Sequence, residues 1–122
     1  MSLNTVTIIG FLGRDPELRS LPSGNAVTHL SVATDEAFRD HAGKRQNHVE
    51  WHTMVVFGTL AETCAKYLTK GRQVYVEGRL HTREWEHDKQ KHQRTEIVAN
   101  RVQFLGSPTK DEPEGGDDGD AA

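Results

Sequence analysis

Cysteine is almost missing from this chain. The single Cys64 excludes an intramolecular disulfide framework and suits a reducing compartment. No apolar run approaches the ~20 residues that a membrane-spanning helix needs, so no membrane partner is expected. The chain enters a strand pattern soon after Met1, without a basic region followed by an apolar stretch, so no secretory signal is expected either. Internal repeats are absent. Hydrophobic residues make up only 34% of the 122. That is low for a self-sufficient globule, and oligomerisation would help a chain of this size.

Catalytic and metal signatures are lacking too. There is no nucleophile elbow, P-loop or dinucleotide fingerprint, and no HExxH arrangement. The seven histidines have no partnering cysteine pair. The close carboxylates Asp15/Glu17 and Asp35/Glu36 adjoin turns and have no companion His or Lys at a telling spacing. Cys64, on the apolar face of a short helical segment, reads as core. No enzyme activity, metal or cofactor is expected.

The net charge of −3 by itself argues against a nucleic-acid partner, but it hides two opposite regions. Residues 1–106 hold 14 Lys+Arg against 12 Asp+Glu, a balance of +2, whereas residues 107–122 hold one Lys and six acids, a balance of −5. A mildly basic body thus carries an acidic tail. From Gly106 onward the Pro, Gly and acid-rich composition cannot bury a core and is expected to be disordered. The chain is read as one folded domain over 1–106 and a short tail over 107–122.

Within the body, Thr5–Leu12 reads as a first strand, interrupted by Gly10 and bounded by Gly13. Ala26–Thr34 reads as a second, followed by a polar hairpin loop over 39–48. Val49–Gly58 is a third, rich in β-branched and aromatic residues. Thr59 and Glu62 form a capping-box pattern. Leu60, Cys64, Tyr67 and Leu68 then fall at helical spacing, with Gly71 as a suitable C-cap. Gln73–Trp85 reads as a fourth strand, with Val74, Val76 and Leu80 on its apolar face. A charged, mobile-looking hairpin spans Glu86–Arg94. Thr95–Leu105 is a fifth strand, with Val98, Val102 and Phe104 alternating. Three strands, a helix and two strands make a mainly β protein. This is the order of the OB-fold, a partly open five-stranded Greek-key barrel.

Side chains alternate between the faces of a strand. Trp51 and Phe57 therefore share one face of the third strand with Val49, Thr53 and Val55, and lie roughly 20 Å apart at strand rise. His52 points the other way. The Trp51 face is either core or a platform for something flat. Trp85 sits among Arg83, Glu84, Glu86 and His87, too polar a setting for a core ring, and shares its face with Arg79 and Arg83. Phe38 follows the second strand. Basic residues, including Lys44, Arg45 and Arg72, are spread over the loops. Rings interleaved with cations suit single-stranded nucleic acid, whose bases stack while its phosphates are neutralised.

Four segments then carry a family resemblance. They are Gly10–Glu17 (GFLGRDPE), Gly24–Val27 (GNAV), Glu50–His52 through Phe57–Glu62, and Tyr67–Gly71 through Val74–Gly78 to Thr82–Trp85. Together they resemble the bacterial single-stranded DNA-binding proteins over residues 3–105. The resemblance implies a cytoplasmic, nucleoid-associated homotetramer. It would bind single-stranded DNA without sequence preference during replication, recombination and repair. It implies stacking at Trp51, Phe57, Trp85 and Phe38, where the family often carries Trp; the cations read from the residues themselves for phosphate contacts are Arg79, Arg83, Arg72, Lys44 and Arg45. It points to His52 and Tyr75 at subunit contacts, and to pairing between subunits along Asn4–Ile8, including Val6. The family's usual acidic Pro-Phe tip recruits replication and repair proteins; this sequence ends Gly-Asp-Asp-Gly-Asp-Ala-Ala, so recruitment of such partners is not among the expectations. An OB-fold module acting through protein contacts, like primosomal protein N, is the alternative reading.

Overall fold

The computed structural model describes residues 1–106. Its elements run β1 (Val6–Leu12), β2 (Arg19–Ser20), β3 (Ala26–Arg39), β4 (Arg45–Phe57), α1 (Gly58–Tyr67), β5 (Gln73–His87) and β6 (Gln90–Phe104). The ladder runs β1-β5-β6-β4-β3 and closes through a β1–β3 pairing, with the two-residue β2 alongside β3. The result is a closed five-stranded barrel with one short helix between β4 and β5, the expected OB-fold. β4 and β6 run parallel at the closure, through Met54↔Ile97 and Val55↔Val98; the other ladders are antiparallel.

The interior is aliphatic. Leu30, Val32, Met54, Val56, Val74, Val76 and Val102 fill it, and Leu60, Ala61, Cys64 and Leu68 close one end from α1 and the turn after it. Cys64 is wholly buried, as its place on the apolar helix face implied. Side chains of this kind each contribute about 1.5–3 kcal/mol when removed from water. Buried Thr28 is satisfied because its Oγ1 donates to the Glu17 carbonyl at 2.7 Å.

Four local expectations are corrected. The 39–48 stretch is not a long loop: β3 and β4 stay paired up to Arg39↔Arg45. Asp40 Oδ1 accepts the N–H groups of Ala42 at 3.0 Å and Lys44 at 2.9 Å, which organises a short turn. These bonds, the Lys44 one foremost, hold the Asp40 carboxyl below its usual range. The 86–94 hairpin is equally regular. Its ladder reaches His87↔Gln90 and turns through Asp88 and Lys89, both at positive φ (52° and 64°). That is the backbone of a type I′ turn, which matches strand twist. Polar composition here reflects exposure, not irregularity.

Thr59 does not cap α1. The N-cap is Phe57, which makes no side-chain capping bond, and the C-cap is Leu68 rather than Gly71. Gly58 enters the helix at φ 69°, a left-handed turn that lets the chain swing from strand to helix without a side-chain clash. Thr59 therefore already lies inside the first turn, and its carbonyl accepts from Thr63 Oγ1 at 3.0 Å.

Simple alternation also fails on β5 and β6. Glu77 pairs with Arg101 and Gly78 with Ala99, so Asn100 is an extra residue in the ladder. This bulge reverses the facing of β6. Val102 and Phe104 point inward, but beyond the bulge Ile97 and Ala99 do so instead of Val98. Leu80, assigned to the apolar face, is exposed because β5 has by then run past the end of the barrel.

Candidate nucleic-acid interface

The β4 face that carries Trp51 and Phe57 turns outward. Trp51 is 58% exposed, Phe57 44%, Trp85 42% and Phe38 51%, so none of these rings belongs to the core. Val55, between Trp51 and Phe57 on the same face, is buried. It lines a groove of ≈ 490 Å³ whose walls include Val27, His29, Phe57, Arg79, His81 and Arg83. The bulge at Asn100 brings Glu96 and Val98 into the same groove. A neighbouring cleft lined by Arg14, Arg19 and Glu17 meets this one at His29.

Glu96 is a charge on the groove floor, only 5% exposed. Arg83 Nε sits 3.5 Å from its Oε1, so the buried carboxylate has a cation beside it. This pairing places Arg83 so that its guanidinium carbon lies 4.9 Å from the centre of the Trp85 ring, a cation–π distance. His92, directly across the ladder from Trp85, stacks against the indole with centroids 5.6 Å apart and planes at 22°. Arg94 reaches from β6 to donate to Thr53 Oγ1 at 3.3 Å. It thereby links the β5–β6 arm to the Trp51 strand. His29 titrates below its ordinary 6.5, chiefly because the groove removes water from it; nearby arginines act in the same direction and Glu96 opposes.

Trp51 is held by what it lies on. A Cβ on Gly13 would come within 2.4 Å of its ring, so the indole packs directly on the backbone after β1. Gly13 is fixed in turn by donating to the Ser31 carbonyl at 2.9 Å.

A model of the family described as "Single-strand binding protein family" matches residues 3–105. The chain belongs to this family. Among its relatives, "Single-stranded DNA-binding protein 1" of Chlorobaculum tepidum is 50% identical over 107 residues, covering 86% of this chain and 66% of that protein. The chain thus spans just under two thirds of that relative's length. A solved Plasmodium falciparum SSB complex with ssDNA superposes with a TM-score of 0.79 at 38% identity, covering 87% of this chain and 97% of the other. A deletion variant of the single-stranded DNA binding protein from Thermus aquaticus superposes with a TM-score of 0.78 at 34% identity, covering 86% and 51%.

Within this family fold the sequence-derived site residues divide. Trp51, Phe57, Trp85, Arg79 and Arg83 lie along the groove and the arm that continues it. Phe38, Lys44 and Arg45 lie at the far β3–β4 hairpin. Phe38 pairs with Gln46, which puts it on the His52 side of that ribbon; Arg39 and Arg45 share the Trp51 side. Arg72 stands apart. Its Nε donates to the Leu105 carbonyl at 2.5 Å and its guanidinium lies over Phe104 at 5.9 Å.

Of the proposed subunit contacts, His52 Nε2 lies 2.9 Å from Thr34 Oγ1. Asn4 brackets Leu80, accepting its N–H at 2.8 Å and donating to its carbonyl at 2.9 Å. Val6 and Ile8 turn toward the barrel and are partly buried. Tyr75 donates to Glu77 Oε2 at 2.8 Å, which raises its hydroxyl pKa. The sequence reading passed over Ile9 and Phe11, both exposed on the opposite face of β1; their odd-numbered spacing was the available signal. It also passed over Glu96 and His29, whose places depend on the bulge and on barrel closure.

Proposed function

We propose that this chain binds single-stranded DNA without sequence preference and protects it during replication, recombination and repair, with no catalytic step. The observation that carries the reading is the set of outward rings, Trp51 and Phe57 on one face of β4 and Trp85 on the arm, with Arg79 and Arg83 in the groove beside Phe57. Rings of this kind accept any base by stacking, and the guanidinium groups neutralise phosphates. The relatives' names support the same ligand. Phe38 with Arg45 and Lys44 would extend the path around the β3–β4 hairpin. Arg72 would act as a peripheral cation.

The protein would work in the cytoplasm as a homotetramer. β1 bonds to β5 from Val6 to Phe11, but to β3 only at Phe11 and Leu12. Its other edge is thus open over residues 6–10 among the described residues, a ready template for a second copy. Ile9 and Phe11 would gain cover from the neighbouring copies. The folded domain would be residues 1–106. The expected disordered tail, 107–122, lies outside the described residues.

Titration with oligo(dT) tests the reading. Tryptophan fluorescence should quench and binding should weaken as salt rises. Equal affinity for duplex and single strand would overturn it. Mass in solution, with and without a long oligonucleotide, tests the tetramer and its stoichiometry together.

A further inference from the structure

The β5–β6 arm beyond the barrel sorts its side chains by face. Residues opposite one another on an antiparallel ladder lie on the same side. The pairs Arg83↔Arg94, Trp85↔His92 and His87↔Gln90 therefore share one face, and Glu84↔Gln93 and Glu86↔Lys91 share the other. Of the residues on the Trp85 face, His92 stacks on the indole and His87 lies against His92, with ring centroids 6.4 Å apart. The two imidazoles thus extend the aromatic platform toward the tip of the arm. They occupy positions where a cation would continue the line begun by Arg83 and Arg94.

We propose that His87 and His92 form a proton-dependent phosphate site at the end of the DNA path, so that the arm grips single-stranded DNA more firmly as pH falls through the histidine range. This rests on the single-stranded DNA reading. Neutral imidazoles add stacking area next to Trp85. Protonated ones add two positive charges in the same place, and each phosphate so neutralised releases counterions. Charges of both signs surround the pair. Arg83 and Arg94 face the pair from the barrel side. Asp88 Oδ2 lies 3.3 Å from His87 Nε2. Glu84, Glu86 and Lys91 lie on the reverse face, and Glu96 is engaged by Arg83 further in. A phosphate arriving at the platform supplies the remaining negative charge, so DNA binding and proton uptake are coupled.

The experiment is an oligo(dT) titration of the full chain at pH 8.0 and at about pH 5.8, each over a salt series. Thymine does not titrate between these values, so the DNA is constant. With two added phosphate contacts the slope of log K against log salt should steepen by about 1.4 at the lower pH. The affinity in about 0.1 M salt should rise on the order of tenfold. The double variant His87→Gln/His92→Gln, altered at one exposed and one half-buried position, should lose most of that change. The other five histidines, His29 and His81 in the groove among them, remain as internal controls. A pH effect of the same size in the double variant would assign it to those residues and overturn the proposal. So would identical affinity and slope at both pH values in the unaltered protein. Absence of binding at either pH would instead defeat the single-stranded DNA reading itself, and this inference with it.

Discussion

Trp51 and Trp85 hold their rings outside the core, so truncating them separates binding from folding. Trp51→Ala or Trp85→Ala should each weaken oligo(dT) binding by about 1–3 kcal/mol, the contribution of one stacked base. Thermal midpoints should move little. A large loss of stability with unchanged affinity would return the ring to a structural role. His29 offers a second test. Its folded pKa lies below 6.5, so near pH 6 the unfolded chain binds more protons at this site than the folded one. Stability from this site is therefore complete above 6.5 and declines as pH falls from there through the lowered folded value. An NMR titration of the imidazole should give a midpoint below 6.5. His29→Gln should remove this part of the acid sensitivity from denaturant curves at pH 7.5 and 5.5.

Two connections at the scale of the element are open to equally specific tests. Gly13 has no positive φ, so alanine fits its backbone, but the added methyl meets the Trp51 ring. Gly13→Ala should lower DNA affinity severalfold and shift tryptophan emission, at little cost in thermal midpoint. Unchanged emission and affinity would show that Trp51 does not depend on this seat. At the tip of the β5–β6 arm, Lys89 holds φ 64°, a region that disfavours side chains by roughly 1–2 kcal/mol. Lys89→Gly creates the Asp-Gly pair preferred in type I′ turns and should stabilise the arm, read as slower amide exchange between His87 and Gln90. The strands and helix were legible because their alternation and helical spacing are dictated by burial. The hairpin tips were less so. Charge at 39–48 and 86–94 resembles irregular loop, whereas both ladders continue to within a few residues of their turns. The cap at Thr59 was displaced by one left-handed glycine, which no local polar pattern announces.

For the whole molecule, parity on β4 grouped Trp51 with Phe57 and Met54 with Val56, while the family resemblance, not the spacing, indicated which of the two faces turns outward. What parity cannot carry is closure. Only the β4–β6 contact brings Glu96 and Val98 beside Val55, and only the cross-strand register seats His92 on Trp85. The groove was therefore readable as a set of rings and cations, but not its buried carboxylate or its histidine wall. The tail offers a test at this scale from composition alone. Residues 107–122 carry a balance of −5 against a body at +2, so they should compete with DNA for the cations of the groove. Deleting them should raise affinity at low salt and leave it almost unchanged at high salt, where the competition is screened. Equal affinity at low salt would exclude such competition.

The unpaired Asn100 has a consequence for how such a chain can change length. Substitutions along β6 alter one side chain at a time. Deleting Asn100 would heal the ladder, because Glu77↔Arg101 and Gly78↔Ala99 would become consecutive pairs and Ile97, Ala99, Val102 and Phe104 would all stay inward. Added residues at the Asp88–Lys89 tip disturb none of these positions and only alter how far the arm reaches. Variation in length is therefore accommodated at two places on this strand, the bulge at Asn100 and the tip of the arm that carries the histidines.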